Sequence, residues 1–222
     1  MDVGTAESGA NLVAIAKFFA SSGLSHSGYE YVNTDEMWEQ KQRDKATGRI
    51  VPSVAFGGSD AGMKAIVAQV HVAGAKIGLY GAVSGISCGN MPGQLYHEDF
   101  DAQTYADWGI DYLKSDNCAS YALDSSVRFG AMRDALNRTG HQIVLSIEPF
   151  SINPDPAQSY KVANLWRTGC DIEGNWAGIV NRADIADKVF TKMMDFVFKM
   201  MKFVFKMTIS IVGAAGWAGR VE

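Results

Sequence analysis

Residues 101–118 read DAQTYADWGIDYLKSDNC. Ala102 to Trp108 forms a short helical segment, Asp111 to Lys114 a short strand, and the polar pair Asp116–Asn117 follows at once. The same order of helix, strand and polar turn recurs on both sides. Upstream, Asn11 to Ser22 carries Leu12, Ile15, Phe18 and Phe19 at helical spacing and leads to a strand over Tyr29 to Asn33. Gly62 to Ala73, with Met63, Ile66, Val67 and Val70 in phase, leads to a strand over Lys76 to Tyr80. Downstream, the helix Ser126 to Asn137 precedes a strand over Gln142 to Ser146, and Leu165 to Arg167 reads as a further short strand. Strands that alternate with helices of this length predict an α/β fold with a parallel sheet. Right-handed crossovers wind such a sheet into an open doubly wound form or a barrel.

The polar residues favour the barrel. Asp35 and Glu36, Asp116 and Asn117, Glu148, and Asp171 all come just after strands. Carboxylates gathered at the C-terminal ends of parallel strands mark a TIM-barrel active site. Two carboxylates across a sugar ring are what glycoside hydrolysis needs, one to attack the anomeric carbon and one to protonate the leaving oxygen. Lys114 lies two residues before Asp116, on the same strand face, where a cation would hold that carboxylate ionised. Asp171 as general acid would need a raised pKa. Any one Asp in such a position also suits a helix N-cap. The adjacent Asp35 and Glu36 suit recognition of sugar hydroxyls, or a cap for a helix near Trp38.

Composition narrows the field. The 222 residues are 47% hydrophobic and 20% charged, with a net charge of -4, which fits one well-buried globular domain. No basic stripe points to nucleic acid. No Gly-rich loop follows a strand and no GxSxG elbow is present, so neither a nucleotide cofactor nor a serine nucleophile is expected. The four histidines show no metal-ligand spacing, and no cofactor or metal is expected. Five Trp and eight Tyr offer sugar-stacking surfaces or core packing. Three cysteines, Cys88, Cys118 and Cys170, leave one disulfide plus a free thiol open, with reduced thiols the plainer reading. Met1 to Ala10 lacks the pattern of a signal peptide. No stretch reaches the ~18 uncharged apolar residues of a membrane span. Asn137-Arg138-Thr139 fits the N-glycosylation sequon.

The tail departs from this pattern. Lys192–Phe198 reads KMMDFVF and Lys199–Phe205 reads KMMKFVF, a seven-residue repeat that gives one strongly apolar helix side. A membrane-surface helix or an oligomer contact would use such a side. The preferred reading is a helix covering the barrel, or a duplicated segment under little constraint. Residues 1–188 are therefore assigned to a catalytic barrel and 189–222 to a divergent helical repeat.

Residues 101–118 resemble the nucleophile region of the α-galactosidases and α-N-acetylgalactosaminidases, glycoside hydrolase family 27. The resemblance runs from residue 11 to 188 through Gly28–Val32, Asp35–Trp38, Lys76–Tyr80, Cys88, Pro92–Gly93, Ala135–Gly140, the strand leading to Glu148, and Trp166–Asp171. It implies a (β/α)8 TIM barrel and a retaining double displacement on terminal α-galactosides, with Asp116 as nucleophile and Asp171 as acid/base. It implies that Asp35 and Glu36 bind the sugar's hydroxyls, Glu36 replacing the usual Asp. Trp38, Tyr80, Lys114, Glu148 and Arg167 fall on sugar-pocket positions, and the bulk of Glu148 near C2 favours galactose over N-acetylgalactosamine. The resemblance also pairs Cys88 with Cys118, places a glycan on Asn137, and implies a secreted or lysosomal setting, against the reduced-thiol reading. A homodimer is left open.

Several features depart from the family pattern. The Gly-Trp-Asn strand that opens the barrel is absent, Met37 replaces a cysteine, and Gly213–Trp217 carries only the start of a strand-seven motif. The expectation is an incomplete barrel lacking its first and last strands. The alternative reading is a non-catalytic member that at most binds sugar, with a related α-N-acetylgalactosaminidase or β-L-arabinopyranosidase as variants within the family.

Overall fold

The computed structural model describes residues 7–118, 124–149, 159, 161–169, 171, 174–191 and 194. Nearly all of the 192–207 repeat, and Gly213–Trp217 with it, lie outside the described residues. The elements alternate as α1 (Gly9–Ser22), β1 (Tyr31–Asn33), α2 (Asp60–Val72), β2 (Lys76–Ala82), α3 (Glu98–Trp108), β3 (Tyr112–Asp116), α4 (Ser125–Arg138), β4 (Val144–Ile147) and β5 (Leu165–Trp166). The strands form one sheet in the order β1-β2-β3-β4-β5. Every neighbouring pair is parallel. This is part of a TIM barrel: the helix–strand alternation predicts the α/β class with a parallel sheet, and the acids placed after the strands favour the barrel over an open sheet.

The chain divides into two compact units, Met1–Pro154 with Gln158–Arg167, and Asp155–Ala157 with Thr168–Glu222. All five strands belong to the first. In the second, residues 176–191 are helical.

Local chemistry sets the element ends. Ser8 and Ser59 cap α1 and α2 through their hydroxyls, which accept from the Asn11 and Gly62 amides, and Asp124 caps α4 by accepting from Ser126. Gly23 and Gly109 close α1 and α3 in left-handed conformations (φ 79° and 83°) that a Cβ would penalise. The helices start earlier than apolar spacing alone predicts: α3 begins at Glu98, with Glu98, Asp99 and Asp101 in its first turn, where they favour the helix dipole. Strand β3 runs through Asp116, so this carboxylate is the last residue of the strand.

The sheet has two chemically distinct faces. Ile77, Leu79, Leu113, Leu145 and Ile147 face the helices and join Leu12, Met63, Val67, Phe129 and Met132 in the core. Burying such side chains supplies about 1.5–3 kcal/mol each. The alternate residues face the barrel interior. Register aligns them in rows: Gly78 with Tyr112 and Val144, Tyr80 with Lys114 and Ser146, and Ala82 with Asp116. Gly78 has no room for a Cβ, because Asn33 and Tyr112 close over it. Ile15 and Phe18, at helical spacing with Leu12 in the sequence, lie instead away from the buried face of Gly9, Leu12, Val13 and Ala16 and are exposed. No helix among the described residues is long and apolar enough to cross a membrane.

Candidate active site

The C-terminal ends of β1, β2, β3 and β4 converge on Asp116. Asp116 is buried, with 7% of the residue exposed. Oδ1 accepts the Asn117 amide at 2.6 Å and Oδ2 accepts the Tyr80 hydroxyl at 2.9 Å. The same hydroxyl lies 2.6 Å from Oε1 of Glu36, so Tyr80 bridges two acids. Burial, followed by these two carboxylates, pushes the Tyr80 phenol far above its ordinary range, which keeps it a hydrogen-bond donor.

Lys114 takes a different partner from the one expected. Its Nζ donates to Oδ2 of Asp35 at 2.7 Å, sits 3.9 Å from Oε2 of Glu148 and lies over the Tyr80 ring at 5.1 Å. Burial lowers the lysine's pKa, but the Asp35 hydrogen bond and the charges of Asp35, Glu148 and Asp116 outweigh it and hold the ammonium above its ordinary value. Asp116 therefore contributes to the field at Lys114 without being its direct ion-pair partner. The reason is geometric: Lys114 stands in the Tyr80 row, one row below Asp116. Arg167 pairs with Oε1 of Glu148, completing the alternating series Asp35, Lys114, Glu148, Arg167.

Trp38 is a correction to the sugar-pocket set. It is fully buried, edge-on to Tyr105 and Trp108, and its indole N–H donates to the Tyr80 carbonyl at 2.8 Å. With no ring face open to solvent, it supports Tyr80 from behind. Cys88 and Cys118 form a disulfide, which overturns the reduced-thiol reading for this pair. The Cys118 sulfur lies 3.5 Å from the Tyr80 hydroxyl. Asp171 belongs to the second compact unit and is exposed. Asn137 is exposed near the end of α4 and borders an open cleft of 870 Å³. That cleft is lined by Tyr31, Lys76 and Val144 at the N-terminal strand ends, so it opens on the opposite end of the sheet from Asp116.

Three interior arrangements of charged residues escaped sequence reading. Arg128 of α4, 4% exposed, donates to the Val83 carbonyl at 2.9 Å and to Oδ1 of Asn117 at 2.5 Å, strapping the residues that follow β2 and β3. Glu39 is 3% exposed, and its Oε2 has no hydrogen-bond partner among the described residues. Arg43 forks onto both oxygens of the buried Asp101 at 2.6 Å and donates to the Gly93 carbonyl, tying the segment after β1 to α3. Arg128 did leave a trace: a charged residue on the Phe129–Met132–Leu136 side of a helix must find polar partners within the fold.

These features sit alongside clear similarity to known proteins. The family model described as alpha galactosidase A matches residues 5–199. Alpha-galactosidase 2 of Arabidopsis thaliana is 36% identical over 174 residues, which is 78% of this chain and 43% of that protein. The alpha-N-acetylgalactosaminidase of Gallus gallus is 36% identical over 177 residues, 77% of this chain and 43% of that one. A Saccharomyces cerevisiae α-galactosidase structure with raffinose superposes with a TM-score of 0.70 at 29% identity, over 76% of this chain and 37% of that one. The chain thus spans less than half the length of each of these relatives.

Proposed function

Because the chain belongs to the alpha galactosidase A family, we propose that it is a retaining exo-glycosidase acting on terminal α-D-galactosyl residues, with Asp116 as its nucleophile and Asp171 as its acid/base. The observation that carries this reading is the posture of Asp116. Its Oδ1 accepts the Asn117 amide and its Oδ2 shares the Tyr80 hydroxyl with Glu36, at the end of a strand, beside three other acids that Tyr80, Lys114 and Arg167 organise.

In the proposed reaction an Asp116 oxygen attacks the anomeric carbon. The glycosidic C–O bond breaks as Asp171 protonates the leaving oxygen, and a glycosyl ester forms on Asp116. Asp171 then takes a proton from water, whose oxygen displaces the ester and restores Asp116. Asp35, Glu36 and Lys114 bind sugar hydroxyls, while Tyr80 fixes the nucleophile before attack, so no reorganisation is needed at that moment. Glu148, held by Arg167, fills the C2 side of the pocket and disfavours an N-acetyl group there. The disulfide supports an oxidising, secreted or lysosomal setting, and the exposed Asn137 is open to a glycan at the far end of the sheet.

The test is hydrolysis of a chromogenic α-galactoside by the full chain beside its Asp116→Asn variant. Turnover that vanishes in the variant establishes the reading. Galactose binding without turnover, in a chain that is folded by circular dichroism, transfers the lead to a non-catalytic sugar-binding protein.

A further inference from the structure

Four side chains with metal-ligating chemistry meet beside Tyr80. One donor atom each from Glu36, Cys88, Asp116 and Cys118 lies within 4.8 Å of all the others. In the oxidised chain the two sulfurs are bonded to each other and cannot ligate. The two carboxylates meanwhile share one hydroxyl: the single Tyr80 hydrogen faces both Glu36 Oε1 and Asp116 Oδ2 and can serve only one at a time. The nearby ammonium of Lys114 is directed to Asp35. The cluster therefore gathers negative charge with one neutral donor at its centre.

We propose that reduction of the Cys88–Cys118 disulfide converts this cluster into a binding site for a thiophilic divalent cation of the zinc class, with Cys88, Cys118, Asp116 and Glu36 as ligands. Two thiolates and two carboxylates form a tetrahedral donor set, with metal–sulfur bonds of about 2.3 Å and metal–oxygen bonds of about 2.0–2.2 Å. A tetrahedral site with these bonds has edges of about 3.3–3.8 Å, so after reduction the two sulfurs must separate while the carboxylate oxygens, already within 4.8 Å of them, draw in. Cys88 is exposed and Cys118 is buried, which fixes the route. A thiolate of an external dithiol attacks the Cys88 sulfur, the S–S bond breaks, and Cys118 leaves with the electron pair and takes up a proton. The second thiol of the reductant closes its own disulfide and releases Cys88. Two electrons pass from the dithiol to the two cysteines, and the incoming cation displaces their two thiol protons to solvent. Binding does not depend on the proposed function. The consequence that the cation occupies the attacking carboxylate does.

The experiment titrates the full chain with Cd2+, then Zn2+, after reduction by a dithiol and its removal without oxygen. A Cys170→Ser background excludes the third thiol. The expected result is one equivalent of Cd2+ with a thiolate-to-metal charge-transfer band in the reduced chain and none in the oxidised chain. Cys88→Ser and Cys118→Ser should abolish the band, and Glu36→Gln and Asp116→Asn should each weaken binding at least about tenfold. The proposal is overturned if the reduced chain binds no cation, or if Cys170→Ser removes the binding. Unchanged affinity in both carboxyl variants overturns it, as does loss of the folded circular dichroism spectrum on reduction.

Discussion

The Tyr80 hydroxyl stands 2.9 Å from Oδ2 of Asp116 and 2.6 Å from Oε1 of Glu36, in the place that the sequence assigns to a lysine's charge. A neutral donor therefore orients the candidate nucleophile, and Lys114 is left to organise Asp35 and Glu148.

Removal of that donor tests the arrangement. Tyr80→Phe keeps the ring under Lys114 but leaves Asp116 and Glu36 with no hydrogen between them. The expected loss in kcat/KM on a chromogenic α-galactoside is about hundredfold, the scale of one preorganised donor. An unchanged rate in a folded variant would remove Tyr80 from the site.

Arg128 should matter for stability more than its position on an outer helix suggests. Arg128→Met deletes hydrogen bonds to the Val83 carbonyl and to Asn117 Oδ1 in a buried setting. A loss of roughly 2–4 kcal/mol is expected in urea unfolding, because two buried acceptors lose their partner. Arg128→Lys keeps the charge but not the fork, and it should recover only part of that loss.

Burial pushes the Glu39 carboxyl up to about 8 from 4.5, with the nearby Glu36 charge adding to the rise and its backbone hydrogen bond and Arg43 opposing it. The folded chain thus holds this proton more tightly than the unfolded chain. The contribution is fully present below pH 4.5, declines as pH rises between the two values, and is gone above about 8. Glu39→Gln should flatten this decline in stability measured by chemical denaturation across pH 5–8. An identical slope in the variant would assign the decline to other groups.

Trp38→Phe separates support from sugar contact. The change removes the N–H that satisfies the Tyr80 carbonyl at 2.8 Å, and it should cost about 1–3 kcal/mol in stability. Since the indole is fully buried, adding galactose should leave quenching of Trp38 fluorescence by acrylamide unchanged. Protection by the sugar would return Trp38 to the pocket.

Much of the architecture is local and hence readable along the chain. The phase of Met63, Val67 and Val70, the short apolar strands, and acids placed after them specify alternating helices and parallel strands. Side-chain period is a property of neighbouring residues, and burial of one face selects it. The same pattern brings Asp35, Glu36, Asp116 and Glu148 to one end of the sheet, because every parallel strand ends on the same side.

Partner choice is different, because it depends on register and on distance through the fold. Lys114 and Asp35 are 79 residues apart, and Tyr80 and Asp116 are 36 apart. Register puts Lys114 beside Tyr80 and Asp116 beside Ala82, and that offset of one row decides which carboxylate meets the ammonium. Tyr105 and Trp108 of α3 enclose Trp38, where no reading of an aromatic next to two acids would place it. The sequence by itself determined the fold class and the end of the sheet where the acids gather, because periodicity and burial act between near neighbours. Only the tertiary structure decided that Tyr80 serves Asp116, that Lys114 serves Asp35, and that Arg128 straps the two strand ends from beneath, because those contacts follow from how whole strands align.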